Sequence, residues 1–134
     1  MTSPETAALL RLEVGRLRRL QRRPRFDTVV HVGRLDGDAR SCAVRYGDPV
    51  VDAGTRVEVV LELLAALPDE VAACVWLTRA GEGGCQDEDL AWLSASTLAF
   101  GAVSRDLEAV WSLTRSGWID VRTGEGRTWK RLRI

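Results

Sequence analysis

The stretch that most constrains this chain is Val71 to Thr78, in which Val71, Ala72, Ala73, Cys74, Val75, Trp76 and Leu77 precede a single hydroxyl residue. An apolar run without polar alternation, read as a strand, must be covered on both of its faces. Cover on both faces means helices packed on a sheet, so the expected class is α/β. A second strand, Leu107 to Thr114, follows after an intervening helix that starts at Asp87-Glu88-Asp89 and runs to about Gly101 through Leu90, Leu93, Leu98 and Phe100. Acidic residues suit a helix start because they face the positive end of its dipole. If the two strands are parallel, they and the helix make a right-handed βαβ unit.

The remaining elements follow from punctuation and spacing. Ser3-Pro4 reads as an N-cap and a first helical position, and Leu10, Val14, Leu17 and Leu20 recur at helical spacing before Pro24 stops the helix. Phe26 to Val32 and Ser41 to Tyr46 are rich in strand formers and flank Asp36-Gly37, which predicts a hairpin. After the break at Gly47-Asp48-Pro49, Thr55 with Glu58 has the pattern of a capping box, and Val57, Val60, Leu61 and Leu64 define a helical face ahead of Pro68. Two short strands, Trp118 to Arg122 and Arg127 to Arg133, close the chain around Thr123-Gly124-Glu125-Gly126. The expected order is therefore α-β-β-α-β-α-β-β-β, a mixed sheet with one parallel βαβ unit. A chain of 134 residues fits one α/β domain over 1–134, with a basic amphipathic helix (1–24) packed on it.

Several function classes fall away at this level. No apolar run reaches the roughly 18 residues that span a bilayer, so no membrane partner is expected. Met1 to Glu5 has no charged leader before an apolar core, which points to a cytoplasmic location. Cys42, Cys74 and Cys85 are an odd, widely spaced set, against a disulfide framework, and Cys42 and Cys74 read as small buried hydrophobes. With His31 as the only histidine and no C-x-x-C or paired-His spacing, neither a metal site nor a cofactor is expected. No catalytic residue is nominated. His31 lies mid-strand, Asp36 and Asp38 read as turn formers, and the loop Gly81 to Gly84 lacks the lysine and hydroxyl of a phosphate-binding loop.

Charge supplies the first candidate function. The chain holds 19 basic and 19 acidic residues, yet 1–34 has a balance of +5, 35–109 of −9 and 110–134 of +4. Two basic ends around an acidic middle give a polarised surface if the fold joins them. Arg16, Arg19 and Arg23 lie on the polar side of the first helix, and Arg127, Trp129, Arg131 and Arg133 alternate onto one face of the last strand. An aromatic among arginines can stack a base and hold its phosphates. The leading expectation is thus a non-catalytic binding or interaction domain, for nucleic acid or another anionic partner.

An internal echo supplies the second. Leu-Thr-Arg-x-Gly occurs at Leu77 to Gly81 and again at Leu113 to Gly117. On neighbouring parallel strands both copies reach the carboxyl end of the sheet, where open α/β sheets bind ligands. Thr78, Arg79, Thr114 and Arg115 would then line a crevice whose guanidiniums suit phosphate or carboxylate, unless Asp87 and Asp89 pair with them. That arrangement makes a small-molecule enzyme or sensor the alternative. A self-associating subunit, a homodimer using Trp92 or Trp118, is the third reading.

The segment from Leu77-Thr78-Arg79 to Asp89 also resembles the JAB/MPN fold, whose metal-binding form has His-x-His after a strand and an aspartate on the next helix. Leu77-Thr78-Arg79 stands at the His-x-His place and Asp89 near the family aspartate. With both histidines replaced, the resemblance implies a metal-free, inactive scaffold of that kind.

Overall fold

The computed structural model describes residues 2–45, 52–68 and 72–130. The first helix, α1 (Pro4–Leu20), begins where the Ser3 hydroxyl accepts the Thr6 N–H at 3.2 Å, and Pro4 occupies its first turn. A hairpin follows, β1 (Thr28–Gly33) and β2 (Ala39–Val44). The second helix, α2 (Ala53–Ala65), is capped by Asp52, whose Oδ1 accepts the Thr55 N–H at 2.8 Å. The expected Thr55–Glu58 capping box is therefore not the cap. Asp52 takes that role, and its negative charge also suits the helix dipole. Then come β3 (Ala73–Thr78), α3 (Asp87–Ala102), β4 (Leu107–Thr114), β5 (Gly117–Asp120) and β6 (Gly126–Thr128).

This is the expected α-β-β-α-β-α-β-β-β order in a single small α/β domain. The strands form one mixed sheet, ordered β2-β1-β3-β4-β5-β6, in which β3 and β4 are parallel and every other pair is antiparallel. The central strand β3 is buried at every position, as its unbroken apolar run requires. Tyr46, the break at Gly47 to Pro49, and Val71 lie outside the described residues, as do Arg131 and Arg133. Within the described residues the last strand stops at Thr128, and the Trp129 N–H turns to the Ser116 carbonyl at 2.7 Å. Gly117 makes the close approach of β6 possible, because a Cβ there would run into the Arg127 carbonyl.

Side-chain alternation gives the two sheet faces different cores. Val30, Val32, Val75, Leu77 and Val110 point to α2 and α3 and pack with Val60, Leu64, Trp92, Ala99 and Phe100. Cys74, Trp76, Trp111, Leu113 and Trp118 point the other way and pack with Leu10 and Val14 of α1. Two helices therefore cover one face and a single helix covers the other.

Candidate functional site

A single helix cannot cover a six-stranded sheet, and α1 crosses it obliquely. Its start lies at the β5–β6 turn, where the Thr2 N–H donates to Glu125 at 2.9 Å. Its far end meets the opposite side of the sheet, where Glu13, Arg16, Leu17 and Leu20 share a cleft with Val29 and His31 of β1 and Ala39 and Ser41 of β2. That cleft has a volume of about 360 Å³, also lined by Arg34, Trp76 and Thr78, and lies within the range of small-molecule sites.

Strand register builds its floor. Ser41 pairs with His31, His31 with Trp76, and Trp76 with Trp111, so one row of side chains runs across β2, β1, β3 and β4. The His31 ring stacks on Trp76 with centroids 5.1 Å apart and planes 8° from parallel. Its Nδ1 lies 2.7 Å from the Ser41 hydroxyl and its Nε2 lies 3.1 Å from the Thr78 hydroxyl. Burial, with the nearby Arg16 charge as a smaller cause, brings the His31 pKa down to about 4. The imidazole is thus neutral at pH 7 and carries one N–H, so it donates to one hydroxyl and accepts from the other. Burial also pushes the Glu13 carboxyl above the usual range, against the opposing pull of Arg16. Trp76 is only 3% exposed, and its indole N–H has no acceptor.

This chemistry suits binding better than proton transfer. A general base works best with a pKa near the operating pH, and His31 lies far below it. Thr78, not a carboxylate, occupies its second nitrogen, so Ser41 and His31 lack the third group that orients a nucleophile–base pair.

At the strand ends the structure keeps Arg79 and Arg115 at one crevice but commits Arg79 to Asp89. Arg79 is 3% exposed and Asp89 is fully buried. The Arg79 Nε donates to Asp89 Oδ1 at 2.8 Å and Nη2 donates to Oδ2 at 2.9 Å. Further bonds reach Ser112 Oγ and the carbonyls of Ala80, Glu82 and Gly84. Asp89 also accepts from the Ser112 hydroxyl and the Gln86 N–H. Arg79 and Asp89 are consumed by the fold, and Asp87 stays exposed at the start of α3. The Gly-rich loop turns its carbonyls, not its amides, inward and so cradles a cation.

Arg79 and Arg115 do line one crevice beyond the strand ends, but register gives the two arginines different surroundings. Thr78 pairs with Leu113, not with Thr114, so the two Leu-Thr-Arg copies are one residue out of step. A one-residue offset sends equivalent side chains to opposite faces. Thr78 joins His31 on the α1 side, whereas the Thr114 hydroxyl lies 3.1 Å from that of Ser116. The Arg79 guanidinium is bonded to Asp89 of α3, yet Arg79 still lines, with Arg115, Pro24, Phe26, Gly81 and Ser116, a shared crevice in which the Arg115 guanidinium is left without a partner.

Of the basic ends, Arg131 and Arg133 lie outside the described residues, and Pro24, just after α1, lines a crevice with Ser116, whose carbonyl accepts the Trp129 N–H. Arg16 lies in the cleft with β1 and β2, while β6 is the strand at the opposite edge. Arg19 and Arg23 are exposed. The Arg127 guanidinium lies over the Trp129 ring at 5.5 Å from its centroid, and Trp129 packs, half-buried, against the α1-side core. Trp92 and Trp118, expected as an exposed self-association patch, are 1% and 5% exposed. They are core residues. Cys74 is buried, with its thiol pKa pushed up to about 12 chiefly by burial, whereas Cys42 is half-buried. Among the described residues no group of His, Cys, Asp and Glu is placed to hold a metal ion, and no helix is long and apolar enough to cross a membrane.

Sequence reasoning passed over Glu13, His31, Arg34, Ser41 and Trp76 as site residues. One signal was present: in the hairpin around Asp36-Gly37, His31 and Ser41 fall on the face opposite Val30 and Val32. The His31–Trp76 pairing was not readable, because it joins strands that are not consecutive in the chain. No family model, curated protein or solved structure matches this chain.

Proposed function

We propose that this chain is a non-catalytic binding domain whose ligand is a small anionic molecule held in the cleft between α1 and the β1–β2 hairpin. The observation that carries this reading is the convergence on that cleft of a neutral His31, hydrogen-bonded on both sides, with the Arg16 guanidinium. Arg16 makes no hydrogen bond or ion pair among the described residues, and it is the cation available to an anion there. Arg34 is already tied to Asp36 at 3.1 Å. Ser41, Thr78 and His31 then orient the polar body of the ligand, and Leu17, Leu20 and Leu35 enclose its apolar part. Nucleic acid is the weaker of the two anionic partners, because Trp129 is half-buried with Arg127 over its ring and the cleft has small-molecule dimensions.

If the chain is a metal-free scaffold of the JAB/MPN kind, Asp89 at the place of the family aspartate is the carboxylate that Arg79 holds. In a metal-free scaffold of that kind, a guanidinium neutralises the helix aspartate in place of a metal.

The test of the cleft is an amide NMR titration of the labelled protein with succinate and with inorganic phosphate. Saturable shifts at His31, Ser41 and Thr78 are expected with at least one of them, weakened about tenfold or more in Arg16→Glu, since a charge-assisted contact is lost and repulsion added. Amides that stay still with both probes, or that respond equally in Arg16→Glu, overturn the reading. Binding of single-stranded oligonucleotides that depends on Trp129 restores the nucleic-acid alternative.

A further inference from the structure

The motif Leu-Thr-Arg-x-Gly occurs twice, and the chain completes it once. In the first copy the Arg79 fork is met side-on by a carboxylate, Nε to one Asp89 oxygen and Nη2 to the other. In the second copy the Arg115 Nε is shut away from solvent with no acceptor, and the Arg115 guanidinium makes no hydrogen bond or ion pair among the described residues. A buried N–H without a partner carries its full desolvation cost, which natural structures rarely leave uncompensated. Arg115 faces a crevice of about 280 Å³ beyond the carboxyl ends of β3 and β4, lined by Pro24, Phe26, Gly81, Glu82, Ser116 and Arg79, whose charge is already met by Asp89.

We propose that Arg115 is a recognition site for a small organic acid, whose carboxylate meets the unpartnered guanidinium from the crevice, on the side away from the enclosed Nε. Three features of the crevice define that class. The planar fork of arginine fits the two oxygens of a carboxylate. Glu82 on the wall disfavours a dianion such as a phosphate monoester, because the second negative charge meets a like charge. Phe26 and Pro24 offer an apolar wall, so the carboxylate is carried on an apolar or aromatic body. The site is separate from the cleft under α1: neither His31 nor Arg16 lines it, and Arg115 does not line the cleft.

Benzoate is the probe, with benzamide as its uncharged counterpart. In an NMR titration of the intact chain, benzoate is expected to shift the Gly81 and Ser116 amides and the Arg115 Nε–H saturably at millimolar concentration, and benzamide is not. Arg115→Gln abolishes the response, and Arg115→Lys weakens it about tenfold or more, because an ammonium is a point charge without the fork. His31 and Ser41 stay unmoved, and Arg16→Glu leaves benzoate binding intact, which separates this outcome from success or failure at the cleft. The proposal is overturned by a wild-type chain without saturable shifts, by benzamide matching benzoate, or by a lysine variant that binds as well as arginine. If Arg115→Gln loses its native spectrum, the lysine variant decides alone.

Discussion

The two faces of the sheet handle buried polarity in different ways. On the α2–α3 side, Arg79, Asp89 and Ser112 form a closed set in which the guanidinium reaches a carboxylate, a hydroxyl and three carbonyls. On the α1 side, His31 is held neutral between two hydroxyls, and the indole N–H groups of Trp76 and Trp111 are enclosed without acceptors. Coverage accounts for the contrast. Two helices cover one face, and its buried ion pair is satisfied from within, while the Arg56 Nε on α2, beside Trp92, is enclosed without an acceptor. One oblique helix leaves part of the other face open, and its polar groups line a cleft. A closed network holds the molecule together; an incompletely satisfied set has capacity left for a ligand.

The largest expected effect tests the closed side. Asp89→Ala leaves the Arg79 guanidinium buried without its counter-charge, and breaking such a pair costs about 3–5 kcal/mol. The loss is read as a lower urea midpoint at unchanged slope. Replacing both members together with apolar residues, as in Arg79→Met with Asp89→Leu, is expected to recover much of it, because desolvation is removed along with attraction. Ligand response at the α1 cleft should be unchanged in any variant that folds. An Asp89→Ala variant that loses less than about 1 kcal/mol, the scale of an exposed ion pair, breaks the comparison on this side.

The second effect tests the open side through pH. The His31 pKa is near 4 in the folded chain and 6.5 as the ordinary value, so between those limits the unfolded chain binds a proton that the folded chain refuses. Stability therefore falls as pH drops from about 6.5 to about 4, by roughly 3 kcal/mol in all, and levels off below. Glu13 acts in the opposite sense near its own range, because its folded pKa is raised and its protonated form is favoured. Asp36 and Asp52, both lowered from 3.8, lose their contributions only at more acid pH. His31→Gln keeps hydrogen-bonding capacity and removes the titration. Urea midpoints measured at steps from pH 7 to 4 should slope for the native chain and flatten for this variant. Equal slopes would mean that His31 is reachable by water and protons.

What was legible in the sequence follows from the range of the forces involved. The strand β4 was readable to its terminal residues, Leu107 and Thr114, and the starts of α1 and α3 were readable from Ser3-Pro4 and Asp87, because caps and periodicity act within a few residues. The cap of α2 was misplaced by three residues, since Asp52 and Thr55 are both good cap residues and local pattern does not rank them. The repeated strand ends were visible, but their meaning depended on the β3–β4 register. With one residue of offset, Arg79 finds Asp89 and Arg115 finds no carboxylate, although both line the same crevice. The cleft was invisible for a stronger reason: it exists because α1 runs from the β5–β6 turn toward β1, a packing direction that no local spacing encodes.

The smallest expected effect sharpens the comparison most. Trp76→Phe removes an indole N–H that is enclosed and has no acceptor, and keeps an aromatic ring beside His31. Losing the N–H relieves a desolvation cost of about 1–3 kcal/mol. Losing part of the ring opens a small void beside the α1-side core, a cost of similar size and opposite sign. The net change in stability should therefore lie within about 1 kcal/mol of zero, far below the Asp89→Ala loss although Trp76 is as deeply buried as Arg79. A loss above about 2 kcal/mol would mean that the N–H is bonded in solution, and the α1 face would then be as closed as the other. Trp111→Phe repeats the experiment one strand away, next to Trp76 in the same row. Near-zero changes at both positions, against a large one at Asp89, would tie the contrast to hydrogen-bond satisfaction and not to depth of burial.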